Sequence, residues 1–124
     1  MKKATILIVE DDENIRTLYK DAFELQEMTV LTGENGQEGV RLALEHHPDV
    51  ILMDIMMPIM DGHQAMQRIR LDEWGRNAKV IFLTNFSDAE NVVHAVEEGT
   101  EEYIVKANTS IKDMVNQVCL VMDM

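Results

Sequence analysis

The chain has 124 residues, 46% hydrophobic and 27% charged, which suits one soluble globular domain over 1–124 with a core of its own. Its formal net charge of −12 argues against direct binding to nucleic acid, where Lys and Arg must neutralise phosphates, and against anionic membrane surfaces. No apolar run is long enough to span a bilayer, the N-terminus has no signal-peptide anatomy, and the lone Cys119 excludes an intramolecular disulfide and suits a reducing cytoplasm.

Ala4-Thr5-Ile6-Leu7-Ile8-Val9 is a continuous apolar run, the pattern of a strand buried on both faces. It runs into the acidic cluster Glu10-Asp11-Asp12-Glu13. Ile15, Leu18, Tyr19, Ala22 and Phe23 then recur at helical spacing and predict a first helix with those residues on its core face. Met28-Thr29-Val30-Leu31-Thr32 is shorter and partly polar, as an edge strand would be. Gly33-Glu34-Asn35-Gly36 reads as a turn, with Asn35 the N-cap of a second helix carrying Val40, Ala43 and Leu44. His46-His47-Pro48 closes that helix, since proline restricts the residue before it.

Val50-Ile51-Leu52-Met53-Asp54 is the central strand, four apolar residues ending in a carboxylate that packing alone would not place there. The loop holding Pro58 follows, and Asp61-Gly62 opens a third helix through Met66 and Ile69, with Gly75 expected to help end it. Lys79-Val80-Ile81-Phe82-Leu83-Thr84 is a fourth strand. Ser87 or Asp88 caps a fourth helix carrying Ala89, Val92, Val93 and Val96 and closed at Gly99. Tyr103-Ile104-Val105-Lys106 is a short fifth strand, and Thr109 or Ser110 begins a fifth helix with Ile111, Met114, Val115, Val118 and Met122 on one face. Strands alternating with helices over short loops predict an α/β fold with a parallel sheet and right-handed crossovers.

The chemistry sits where the strands end. The first strand runs into Glu10, Asp11 and Asp12, the third ends in Asp54, the fourth in Thr84 and the fifth in Lys106. Parallel strands bring these side chains to one sheet edge, which is where open doubly wound sheets bind ligands. Glu10, Asp11 and Asp54 make an oxygen-only environment suited to Mg²⁺. Without a cation, carboxylates about 4 Å apart would repel by roughly 4 kcal/mol per pair at an effective dielectric of about 20. With one, Asp54 stays ionised and nucleophilic, while Lys106 and Thr84 offer a point charge and a hydroxyl to an anion carried on it. That set fits phosphoryl transfer through an aspartyl-phosphate.

On Ile8-Val9-Glu10-Asp11-Asp12, Met53-Asp54 to Asp61-Gly62, Leu83-Thr84 and Glu102-Tyr103-Ile104-Val105-Lys106, the chain resembles a receiver domain of a two-component response regulator over essentially its whole length. The resemblance implies a flavodoxin-like doubly wound (βα)5 domain with a five-stranded parallel sheet in the order 2-1-3-4-5. It implies Asp54 as phosphoacceptor and Mg²⁺ held by Glu10, Asp11, Asp54 and the Met56 backbone carbonyl, with Asp12 a neighbour outside that set. It further implies Thr84 and Lys106 on the phosphoryl group, and Tyr103 as a switch aromatic that turns inward as Thr84 moves. That movement would alter the face of the fourth helix, fifth strand and fifth helix for a downstream protein or for a homodimer contact. The phosphodonor would be a sensor histidine kinase or a histidine phosphotransfer protein. The chain would be a signalling domain, catalysing only its own phosphorylation and dephosphorylation, and stand-alone, because it stops after the last helix.

The chain departs from the family at several positions. Ala107 follows Lys106 where proline is usual, Asn85 follows Thr84 where a small residue is usual, and Gly99-Thr100 replaces Gly-Ala. Met56 and Phe86 occupy positions that help set phosphoryl lifetime in the family. Elsewhere the plainer readings are preferred. The ten methionines mostly fall on core faces as packing, His46, His47, His63 and His94 are solvated surface, Cys119 packs in the last helix, and Trp74 packs at a helix end. An alternative function is a receiver-like protein-binding module that no longer depends on phosphorylation. A flavodoxin-like electron carrier is disfavoured because the acidic loop after the first strand would repel a flavin phosphate. An aspartyl phosphatase lacks a second acid two residues after Asp54.

Overall fold

The computed structural model describes residues 3–84, 102–106 and 109–122. The apolar runs pair side by side as β1 (Thr5–Val9), β2 (Thr29–Gly33), β3 (Val50–Asp54), β4 (Val80–Thr84) and β5 (Glu102–Val105). All are parallel, in the order β2-β1-β3-β4-β5. β3 and β4 are buried at every position, whereas β2 is partly exposed, as an edge strand must be. This is the flavodoxin-like sheet that the resemblance implies.

Successive side chains alternate between the two sheet faces, so each continuous apolar run feeds two cores. Ile6, Ile8, Leu52, Ile81 and Leu83 pack with Tyr19 and Phe23 of α1 (Glu13–Glu24) and with Met114 and Val118 of the C-terminal helix (Ile111–Met122). Leu7, Val9, Ile51, Met53 and Phe82 pack with Ala43 of α2 (Gly36–His46) and with Ala65, Met66 and Ile69 of α3 (Gly62–Arg70). Among the described residues, no helix is long and apolar enough to cross a membrane.

Among the described residues, each α-helix starts on a short polar side chain that accepts from one of its unpaired amides. Asp12 accepts from the Ile15 N–H at 3.0 Å and Asn35 from the Glu38 N–H at 2.9 Å. Asp61 and Gln64 form a reciprocal capping box. Ser110 Oγ accepts from the Asp113 N–H at 3.1 Å.

Four sequence expectations need correction. α3 stops at Arg70, not near Gly75, and Gly75 lies in a separate 3₁₀ turn, Trp74–Asn77. There it is required for close approach, since a Cβ would collide with the Ile69 carbonyl. Arg70 Nη1 reinforces that turn by donating to the carbonyls of Gly75 and Ala78, each at 2.7 Å. Gly33 belongs to β2, not to a turn. Leu18 is 53% exposed, because α1 turns it away from the core that Tyr19 and Phe23 fill. His63 is only half-exposed and sits edge-on to the buried Phe82, with ring centroids 5.1 Å apart. The exposed His47 stacks on Trp74 at 4.4 Å, so the tryptophan does pack at helix ends. The expected fourth helix, with Asn85, Phe86, His94 and Thr100, and Ala107 all lie outside the described residues.

Candidate functional site

Strand register brings the site together. Val9 is level with Met53, Asp54 with Leu83, and Thr84 with Val105. Glu10 therefore leaves β1 beside Asp54, Thr84 stands one step beyond Asp54 on β4, and Lys106 follows Val105 one step beyond that. The staircase climbs along one edge of the sheet, at the carboxyl ends of the strands.

Burial singles out the same residues. Among the described residues, the buried polar or charged side chains are Glu10, Asp54 and Thr84, at 1%, 5% and 1% exposure. Charges so deep must be paired. Lys106 supplies the pairing: its Nζ donates to Glu10 Oε1 at 2.7 Å and to Asp54 Oδ2 at 3.0 Å. Burial pulls the Lys106 ammonium down, but the hydrogen bond to Glu10 and the charge and hydrogen bond of Asp54 outweigh it and hold the group above its ordinary value. Glu10 Oε2 accepts from the Asp12 N–H at 3.1 Å, so both oxygens of that carboxylate already have partners. Asp12 itself caps α1, a role not assigned to it from the sequence.

Asp11 is exposed and completes the acidic group. One carboxylate oxygen from each of Glu10, Asp11 and Asp54 lies within 4.8 Å of the other two. Desolvation, then hydrogen bonding with Glu10 and the charge of Glu10, raise the Asp11 carboxyl above its ordinary value, against the pull of Lys106. A group whose negative form is disfavoured by its neighbours is one a cation would relieve. The donor set is hard oxygen throughout, so these residues fit a Mg²⁺ ion and would not suit a soft metal.

Met56 follows Asp54 by two residues in the β3–α3 loop, with its side chain 59% exposed. Tyr103 lies on β5 level with Phe82 and is 39% exposed. Two participants went unnoticed in the sequence. The phenol of Tyr19, read only as core, is raised by burial and feels the charges of Lys106, Glu10 and Asp54. Arg16, which no apolar periodicity would mark, donates to the Glu10 carbonyl at 2.8 Å.

Known proteins resemble this chain in sequence and fold. A family model for the response regulator receiver domain matches residues 6–118. Regulatory protein AtoC of Escherichia coli is 39% identical over 101 residues, which is 82% of this chain and 22% of that protein. Chemotaxis protein CheY of Halobacterium salinarum is 34% identical over 115 residues, 91% of this chain and 94% of that protein. The chain spans 22%, 44% and 40% of the length of the first three curated relatives. The receiver domain of a Pseudomonas aeruginosa sensor histidine kinase, solved with a magnesium ion coordinated in its active site cleft, is 25% identical with a TM-score of 0.90, over 99% of this chain and 100% of that one. Chemotaxis protein CheY4 of Vibrio cholerae, at 22% identity, a TM-score of 0.89 and coverage of 97% and 99%, shows the shared fold. The order of strands, the acidic pocket at their ends and the match along most of its length place this chain in one family: it belongs to the response regulator receiver domains of two-component systems.

Proposed function

We propose that this receiver domain accepts a phosphoryl group on Asp54 from a phosphohistidine of a sensor histidine kinase or a histidine phosphotransfer protein. The observation that carries the reading is the Lys106 bridge between the buried Glu10 and Asp54 beside the converging carboxylates. Such a pocket is costly to build and has no packing purpose.

In the transfer, a carboxylate oxygen of Asp54 attacks phosphorus as the P–N bond to the donor histidine breaks. The bonding pair stays on the histidine nitrogen. Lys106 holds Asp54 Oδ2, which fixes the rotation of the carboxylate and directs the other oxygen to the incoming phosphorus. Glu10, Asp11 and Asp54, with the Met56 carbonyl, would hold Mg²⁺, whose charge there offsets that of the phosphoryl oxygens. After transfer, Lys106 exchanges one carboxylate partner for a phosphoryl oxygen, and the Thr84 hydroxyl donates to another. Burial of Glu10, Asp54 and Thr84 keeps those interactions strong. Removal of the group is a hydrolysis: water attacks the same phosphorus, the P–O bond to Asp54 breaks with its electron pair returning to the carboxylate, and inorganic phosphate and a proton leave.

The new charge then biases a conformational equilibrium. Movement of Thr84 toward the phosphoryl group opens room for the half-exposed Tyr103 to turn inward, which alters the surface around β5 for a downstream protein or a second copy of the chain. The reading places the domain in the cytoplasm, where its phosphodonor and Mg²⁺ are available.

Incubation with a radiolabelled phosphoramidate or acetyl phosphate and Mg²⁺ tests this. Wild type should take up label, chelation should prevent it, and Asp54→Asn should lose it by at least about a thousandfold, as expected when a covalent nucleophile is removed. Equal labelling of the variant would overturn the assignment of Asp54. No labelling of wild type by any phosphodonor would favour a binding module that works without phosphorylation.

A further inference from the structure

Arg16 stands one turn into α1, and its side chain is only 14% exposed although it ends in a charge. Its guanidinium is spent on backbone. Nη1 donates to the Glu10 carbonyl at 2.8 Å and lies 3.5 Å from the Asp11 carbonyl, while Nη2 is 3.5 Å from Glu34 Oε1 beyond β2.

Those carbonyls belong to the stretch where the chain leaves the sheet and the two acidic side chains diverge. The Glu10 N–H is used by the Gly33 carbonyl at 3.1 Å, and the Asp12 carbonyl is used by the Arg16 N–H at 2.9 Å. The Glu10 and Asp11 carbonyls have no place in the β1 ladder or the α1 helix, and Arg16 reaches both. Fixing those two peptide planes fixes the directions in which the Glu10 and Asp11 side chains leave the backbone.

We infer that Arg16 is a positioning residue for the divalent cation, acting through the peptides that carry Glu10 and Asp11. The inference rests on the reading of Glu10, Asp11 and Asp54 as a Mg²⁺ site. Electrostatics and positioning predict opposite signs here. If Arg16 acted only as a nearby positive charge, removing it would relieve repulsion and tighten cation binding. If it positions the carboxylates, removing it loosens their convergence and weakens binding in spite of the charge. Lysine keeps the charge but lacks the rigid planar guanidinium that aims Nη1 at both carbonyls, so it should restore only part of the effect.

The test is calorimetric titration of the full chain with MgCl₂, alongside thermal unfolding in metal-free buffer. Arg16→Met is expected to bind Mg²⁺ about tenfold more weakly than wild type, in the range seen for groups that orient metal ligands, with Arg16→Lys between the two. Glu34→Gln removes only the exposed ion pair and should stay within about twofold of wild type. A folded Arg16→Met that binds Mg²⁺ as tightly as wild type, or more tightly, overturns the proposal. So does a Glu34→Gln loss as large as that of Arg16→Met, since the role would then run through the ion pair and not the carbonyls. If Arg16→Met does not fold, Arg16→Lys decides by the same rule. Failure of wild type to bind Mg²⁺ would remove the cation reading itself, and the role of Arg16 with it.

Discussion

Lys106 is the residue on which the site balances. Glu10 and Asp54 are nearly sealed from water, and one ammonium compensates both. Replacing it by methionine keeps the volume but leaves two buried carboxylates facing each other. Lys106→Met should therefore lower stability by about 3 kcal/mol at neutral pH. Because the folded Lys106 pKa is raised, its contribution is fully present below the unfolded value of 10.5 and is lost as pH rises through the higher folded value. Chemical denaturation of both proteins across pH would show the two curves approaching each other as pH rises through the folded Lys106 value. Coincident curves would mean that the bridge contributes nothing.

At the scale of elements, the β3–α3 loop is held to the strand end by close backbone contacts. The Gly62 N–H donates to the Ile55 carbonyl at 2.8 Å, and the Gly36 N–H at the start of α2 donates to the Met60 carbonyl at 2.9 Å. Added at Gly62, a Cβ would lie 2.5 Å from the Asp54 carbonyl oxygen and 2.9 Å from the Ile55 Cα, both backbone atoms with little freedom to move. Gly62→Ala is therefore expected to cost about 2 kcal/mol by overpacking. It should also displace Asp54, so phosphoryl uptake should fall by more than the loss of folded protein explains. Comparison of the labelling rate per folded molecule with the unfolding midpoint separates these effects. A drop in stability with an unchanged rate would show that the contact only supports the loop.

At the scale of the whole molecule, a net charge of −12 must be carried by a compact body, and the acidic edge concentrates part of it. Mg²⁺ should therefore stabilise the fold, raising the melting temperature by several degrees once its concentration exceeds about a hundred times its dissociation constant. Asp11→Asn separates the terms. The folded Asp11 pKa is raised, so ionising it costs stability as pH rises from 3.8 through the folded value, and that cost persists at neutral pH. The variant should melt slightly higher than wild type without metal, by an amount kept to about 1 kcal/mol or less by exposure, and should lose the Mg²⁺-dependent rise. A variant that melts lower than wild type in metal-free buffer would contradict the assigned repulsion.

Much of this was legible in the sequence, for identifiable reasons. Short continuous apolar runs suit strands covered on both faces, and their alternation with helical patterns over short loops pointed to the parallel sheet and its helical layers. Asp54, Glu10, Thr84 and Lys106 were visible because each ends an apolar run with a polar group, and parallel strands send all their ends to one edge. Local chemistry also showed Asn35 as a cap and narrowed the last helix's start to Thr109 or Ser110, of which Ser110 caps it, since a cap needs only its own next turn. The sequence could not show that Glu10 spends both carboxylate oxygens on Lys106 and on the Asp12 amide, nor that Arg16 turns back to the Glu10 carbonyl. Nor could it show that Gly75 serves the Ile69 carbonyl and not the end of α3, or that Leu18 faces outward while His63 lies against Phe82. Each of these depends on which atoms meet across elements, and hydrogen bonds and close contacts are decided within a few tenths of an ångström. Periodicity along the chain sets which face a residue occupies, but only the packed tertiary structure sets what waits opposite it.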